Sequence, residues 1–245
     1  MKAAIMQPYF LPYLGYFQLI SAVDIFVVYD NIQYTKKGWI NRNRLLRNGT
    51  DHIFTIPLKK DSDFLDVRDR EISPDFRAEK LLNQITESYR RAPQFSAVYP
   101  VVESIVRFQE RNLFCFIHNS IGEICRQLGI VTPVVVSSAI NADHGLKNQQ
   151  RVIAICKAVG ASHYINPTGG VSLYKSVDFR LAGLELSFLR CSARQYKQFG
   201  ELFVPALSIL DVMMFNSVEE IRSMLNQYEL MNAADNAALS ATSSA

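Results

Sequence analysis

Charge of either sign is almost cancelled. Over 245 residues, 26 lysines and arginines face 23 aspartates and glutamates, a net charge of +3. General nucleic-acid binders carry a marked basic surplus, so that class is disfavoured. Cysteine is sparse. Cys115, Cys125, Cys156 and Cys191 include no C-x-x-C pair, which argues against a disulfide framework and a structural zinc site. Their apolar settings read as core positions. Histidine occurs four times with no H-x-x-x-H spacing, and no dense carboxylate cluster appears, so no metal site is expected. A G-x-S-x-G elbow, a P-loop and a dinucleotide G-x-G-x-x-G are all missing, which disfavours hydride transfer and P-loop phosphate chemistry. No apolar run approaches bilayer length, and the start MKAAIMQPYF lacks a secretory pattern. The expectation is a cytoplasmic protein without a membrane span. What is present, 49% hydrophobic and 20% charged residues, belongs to a folded chain long enough for a sizeable core.

Residues 2–6 (KAAIM) read as a buried strand, Pro8 and Pro12 hold a non-helical loop, and 14–23 carry helical spacing with Leu14, Phe17, Leu19 and Ile20 facing inward. Residues 25–30 (IFVVYD) make a second buried strand. Strand, helix, strand within 30 residues is a βαβ unit and implies parallel pairing. Further strands are expected at 52–58, 67–73, 133–138 and 162–166, and a last one within 177–190. Helices are expected at 75–91, across 93–130 as a pair, at 146–161, and on both sides of Asn216. The fold class is therefore α/β, a mostly parallel Rossmann-like sheet flanked by helices, with a lateral helical block around 76–128. One domain over 1–232 is expected, followed by a small, polar, disordered tail at 233–245.

Two segments are candidates for chemistry. The first is the loop Gln7–Tyr16, which follows a strand and opens a helix, where open α/β sheets bind ligands and free N–H groups favour anions. A rigid aromatic turn packed on the core explains the same composition equally well. Within it, Tyr13-Leu14-Gly15-Tyr16 resembles the H-x-G-H signature of the nucleotidylyltransferase and pantothenate synthetase superfamily. Tyrosine at both histidine positions supplies no imidazolium charge, so adenylate chemistry is disfavoured. The second segment is 29–44. Residues 31–50 hold Lys36, Lys37, Arg42, Arg44 and Arg47 and no acidic residue. Asp30 at a strand end suits a base or a hydroxyl partner. Gln33, Asn41 and Asn43 offer neutral amides for sugar hydroxyls, Lys36 and Arg42 suit phosphate, and the only tryptophan, Trp39, suits stacking. A site is favoured over a solvated basic loop.

Elsewhere, His144 lies in a polar loop before a helix carrying Lys147 and Arg151 four residues apart. Ordinary capping is favoured over general base catalysis there. Asp211 sits in an apolar helix start, so its carboxylate needs a partner, with Arg42 and Arg151 the candidates. Ser208 is placed to cap that helix.

Met6–Ile20 and Tyr29–Asn43, with segments around Arg151, Tyr164, Tyr174 and Leu207–Asp211, resemble the WbqC-like family over nearly the whole chain to about residue 230. One departure is the loop Tyr164-Ile165-Asn166-Pro167-Thr168-Gly169-Gly170, where the family commonly has Y-[IL]-S-G. Gly169 and Gly170 retain close backbone access. The resemblance implies a role in bacterial O-antigen or other surface-polysaccharide synthesis. The expected activity is transfer of an acyl or aminoacyl group to a nucleotide-linked sugar. Asp30 and His144 are the candidate catalytic residues. Gln7, Tyr13, Gly15, Tyr16, Gln33, Lys36, Trp39, Asn41, Arg42, Asn43, Lys147, Arg151, Tyr164, Gly169, Tyr174 and Asp211 are the candidate binding residues. No cofactor is required by the sequence; ATP or an acyl donor is compatible with it. The alternatives are a non-catalytic nucleotide-sugar binding protein and a nucleotidyltransferase-like enzyme. The oligomeric state is left open.

Overall fold

A computed structural model of the protein describes residues 1–192 and 195–232; the tail expected to be disordered lies outside them. The elements in order are β1 (Lys2–Met6), α1 (Leu14–Ser21), β2 (Ile25–Val28), β3 (Arg42–Arg47), β4 (Thr50–Thr55), α2 (Ala78–Tyr89), α3 (Phe95–Val106), α4 (Leu113–Leu128), β5 (Val134–Val136), α5 (Asn148–Ala158), β6 (His163–Pro167), α6 (Ser176–Leu181), β7 (Glu185–Cys191), α7 (Ile209–Phe215), α8 (Val218–Leu225) and β8 (Tyr228–Asn232). Six strands form one sheet in the order β5-β2-β1-β6-β7-β8. Every pairing is parallel except that of β8 with β7.

Side-chain alternation assigns the two faces of this sheet. Ala4, Phe26, Val28, Ile165 and Leu189 point to one face, where α1, α4 and α8 pack. Ile5, Val27, Tyr164, Leu186 and Phe188 point to the other, against α5 and the buried Phe179 of α6. The β1–α1–β2 crossover and the β6–α6–β7 crossover therefore lie on opposite faces. The strand order reverses between β1 and β6, which makes that junction the switch point of a doubly wound sheet. The expected α/β class and the expected lateral helices are both present, and α2–α4 share the first core with the sheet.

Several elements differ from expectation. The C-terminal part of the basic stretch read as a loop is β3, half of an antiparallel hairpin with β4. Asn48 and Gly49 both take positive φ, 52° and 76°, as a two-residue hairpin turn requires. The expected edge strand at 67–73 is instead a 3-10 turn at Val67–Asp69, followed by isolated bridges at Glu71 and Ile72. Strand β8 was not expected. Its alternation is weak because it lies at the sheet edge with three of its five residues exposed. No described helix is long and apolar enough to cross a membrane.

Buried Asp211 ties several parts together. It accepts hydrogen bonds from Tyr89 Oη at 3.0 Å, Tyr196 Oη at 2.5 Å and Gln198 Nε2 at 2.7 Å. The arginines considered as its partners are not involved. Tyr89 Oη in turn accepts from the Leu46 N–H at 2.9 Å. Burial raises the Asp211 pKa, and its three donors offset only part of that. A carboxyl that holds its proton to higher pH when folded stabilises the fold most below the unfolded value, about 3.9. That contribution is lost as pH rises through the folded value. Asp211→Asn, which does not titrate, is predicted to destabilise the protein, by an amount that shrinks as pH rises from about 4 to neutrality. Urea denaturation of both proteins across that range measures it; a cost that grows with pH contradicts the assignment.

Candidate functional site

A cleft of about 650 Å³ opens at the carboxyl ends of β1, β6 and β7, at the switch point. Its floor is Ile5, Met6 and Gln7 from β1 and its extension. One wall is the segment after β6, Asn166 to Gly170, with Leu173 and Tyr174, and another is Leu189, Arg190 and Cys191 at the end of β7. Tyr9, Tyr13, Tyr29 and Trp39 complete it with rings. A smaller hollow of about 190 Å³, lined by Pro12, Asn43, Arg44 and Ala206, shares Tyr9, Tyr13 and Trp39 with the cleft.

The loop between β1 and α1 is fixed by distant groups. Pro8 and Pro12 remove two backbone donors, and Leu11 takes a positive φ of 47°. The freed carbonyls are captured from outside. Asn43 Nδ2 donates to Phe10 O at 3.1 Å and Leu11 O at 2.7 Å. Ser208 Oγ donates to Leu11 O at 2.8 Å, and the Ile209 N–H to Pro12 O. Tyr16 Oη donates to the Gln7 carbonyl at 2.9 Å. The α1 N-cap, Tyr13, provides no side-chain cap, and Gly15 of the first turn lines the cleft.

The expected binding residues separate into two sets. Gln7, Tyr13, Gly15, Trp39, Gly169 and Tyr174 line the cleft. Tyr164 stands directly behind it, donating to Asn166 Oδ1 at 2.9 Å and meeting Tyr174 Oη at 3.3 Å. The other set lies outside the lining. Tyr16 is fully buried. Asn41 spends its amide on Tyr34 Oη and the Ile56 carbonyl, and Asn43 spends its own on the loop. Gln33 donates to the Asp63 carbonyl, and Lys36 pairs with the Asp63 carboxylate in the open. Arg42 Nε donates to Gly38 O at 2.8 Å and Nη2 to Lys37 O, while its guanidinium covers Trp39. Lys147 is the exposed residue capping α5. Asp211 is the buried hub described above.

Of the expected catalytic pair, Asp30 is buried beyond β2. It accepts from the Ser138 N–H and Ser137 Oγ, both at 2.9 Å, and from Ser138 Oγ. Burial raises its pKa, but these hydrogen bonds outweigh burial and hold it below the usual carboxylate range. His144 Nε2 faces the Ile140 carbonyl at 2.9 Å. A carbonyl only accepts, so this nitrogen carries the proton and Nδ1 faces Arg151 Nη2 at 3.5 Å. Arg151 also donates to the Asn31 carbonyl and lies 5.1 Å from the centre of the Tyr29 ring in the cleft wall.

Sequence reasoning held Tyr9, Tyr29 and Arg44 only as members of its candidate segments, and it missed Arg190. Arg190 and Cys191 end β7, so applying the strand-end rule to that strand points to them. Among the described residues the cleft lining holds no carboxylate, histidine or lysine. Burial raises the phenols of Tyr9 and Tyr174, and that of Tyr13 to about 12; it also raises Tyr29 despite Arg151. These hydroxyls stay neutral and act as hydrogen-bonding groups. Among the described residues no group of three metal-ligating side chains is assembled.

Fold and site together define a doubly wound α/β protein with an aromatic cleft at its switch point. The chain belongs to the WbqC-like protein family, whose model matches residues 7–223. It is also 32% identical over 219 residues to "Uncharacterized protein Rv1507c" of Mycobacterium tuberculosis (strain ATCC 25618 / H37Rv), covering 86% of this chain and 92% of that protein. No solved structure matches significantly.

Gly15 tests the local geometry. A Cβ there meets Tyr13 Cε2 at 2.5 Å. Gly15→Ala is predicted to push the Tyr13 ring toward the cleft and change the emission of Trp39, which shares both hollows with it. Stability should change by about 1 kcal/mol or less, because alanine favours the helix. An unchanged emission spectrum counts against this packing.

Proposed function

We propose that the protein is an enzyme of surface-polysaccharide synthesis that binds a nucleotide-linked sugar in the larger cleft and transfers an acyl or aminoacyl group to it. The observation that carries this reading is the lining: among its described residues four tyrosines and a tryptophan stand with Gln7 and Thr168, and none is a carboxylate. Rings stack on bases and sugar faces, and amides pair with hydroxyls. Arg190, at the rim and paired with Glu229, supplies a cation for a diphosphate. In amide formation the sugar amine attacks the acyl carbon. The C–N bond forms as the donor's bond to its leaving group breaks, and the amine proton goes to the departing group. Asp30 and His144 serve here as positioning residues behind the wall. Asp30 fixes the turn at Ser137 and Ser138, and His144 holds Arg151 against Tyr29.

A second reading, a non-catalytic nucleotide-sugar binding protein, is favoured by one specific feature. Among the described residues the wall holds no carboxylate, imidazole or amine to move a proton near neutral pH.

Calorimetry with uridine and thymidine diphosphate amino sugars is expected to show binding. Trp39→Ala is expected to weaken it about tenfold, the worth of one stacked ring. Mass spectrometry after incubation with an amino sugar nucleotide and acyl donors separates the readings: a product with the added acyl mass supports the enzyme, and binding without product supports the binding protein. Neither binding nor product across the panel sinks both.

A further inference from the structure

We propose that the smaller hollow beside the cleft is a separate compartment that binds the carboxylate of a short-chain second substrate through Arg44. The assignment rests on the reading that the larger cleft holds the sugar; it concerns binding of the acid, which transfers its acyl group only after activation by a nucleoside triphosphate.

Three observations carry it. The first is composition. The walls are Tyr9, Pro12, Tyr13, Trp39, Asn43, Arg44 and Ala206, and Arg44 is the only charged residue among them. The Asn43 amide is already spent on the Phe10 and Leu11 carbonyls. A ligand there meets apolar rings and one guanidinium, the group whose planar fork matches a carboxylate. The second is unused bonding capacity. Arg44 Nη2 donates to the Ala206 carbonyl at 2.9 Å and Nη1 reaches the half-exposed Asp51 at 3.3 Å, while its Nε is buried without a hydrogen-bond partner. A guanidinium has five N–H donors, so each terminal nitrogen keeps one N–H beyond the bond it makes, and those are the donors an entering oxygen can take. The third is backbone strain. Ala206, whose carbonyl Arg44 holds, takes a φ of 55°, a conformation that non-glycine residues rarely adopt and that clusters at binding sites.

Size and placement narrow the ligand. About 190 Å³ equals about six water molecules of liquid volume, room for a short acid and far too little for a nucleotide. The partition of Tyr9, Tyr13 and Trp39 is common to both spaces, so an acid anchored on Arg44 lies next to whatever fills the cleft. Arg42 and Arg44 both stack on Trp39, at 5.3 and 5.2 Å from its centre, which adds positive potential to the partition.

The test is calorimetry and Trp39 fluorescence on the full chain with acetate, butyrate and 3-hydroxybutyrate. Acetamide and butyramide serve as neutral counterparts, with inorganic phosphate alongside. The carboxylates are expected to bind and the amides to fail. Arg44→Gln is expected to weaken carboxylate binding about tenfold or more, and Arg44→Lys, which keeps the charge but not the fork, less than that. The carboxylate-over-amide preference of the unaltered protein needs no variant, so a poorly folded Arg44→Gln leaves the proposal testable. Equal binding of acids and amides, a preference for phosphate, no acid binding at tens of millimolar, or full affinity in Arg44→Gln overturns it. Acid binding without nucleotide-sugar binding upholds the compartment and removes the reading of the larger cleft instead.

Discussion

The structure depends on how one loop's carbonyl groups are satisfied. Between β1 and α1 the chain must leave the sheet, pass two prolines and enter a helix within seven residues, with no regular pattern of its own to pair those carbonyls. Water cannot serve Phe10 and Leu11, which are fully buried. The side chains of Asn43 and Ser208 and the backbone of Ile209 do so instead, from 32, 197 and 197 positions along the chain. The loop is therefore a product of the finished fold, and the cleft it borders exists only when the hairpin and α7 have docked.

Alternation within the strands then divides the work. Residues of one parity build the core with α1, α4 and α8, and those of the other build a second core with α5 and α6. Helices on both faces leave the strand ends as the place where side chains meet a ligand. There the chain puts rings and hydroxyls, and among the described residues of the lining there is no carboxylate.

Much of this was legible in the sequence, where physics is local. The buried strands KAAIM and IFVV, the helical stripe of α1 and the amphipathic pair α3 and α4 announce themselves by period. The hairpin was missed although Asn48-Gly49 is a strong turn signal, because arginines on its half-exposed face suggested a loop. Strand β8 was missed because an edge strand need not alternate. The amides misled most. An asparagine between arginines looks the same whether it serves a ligand or the main chain. Asn41 and Asn43 turned inward, and only the tertiary fold brings Phe10, Leu11 and Ile56 within their reach. Asp211 showed the converse: burial without a charged partner is met by two phenols and an amide from segments no periodicity connects to it.

The chain of bonds from Leu46 through Tyr89 to Asp211 has a mechanical consequence. Tyr89 ends α2, Leu46 lies three residues past Asn43 on β3, and Asp211 lies three residues past Ser208. Both braces of the loop are thus bolted, through one phenol, to the same helical scaffold. Loosening that scaffold slackens both grips at once, so the entrance to the cleft cannot soften on its own and inherits the rigidity of helices that never touch a ligand.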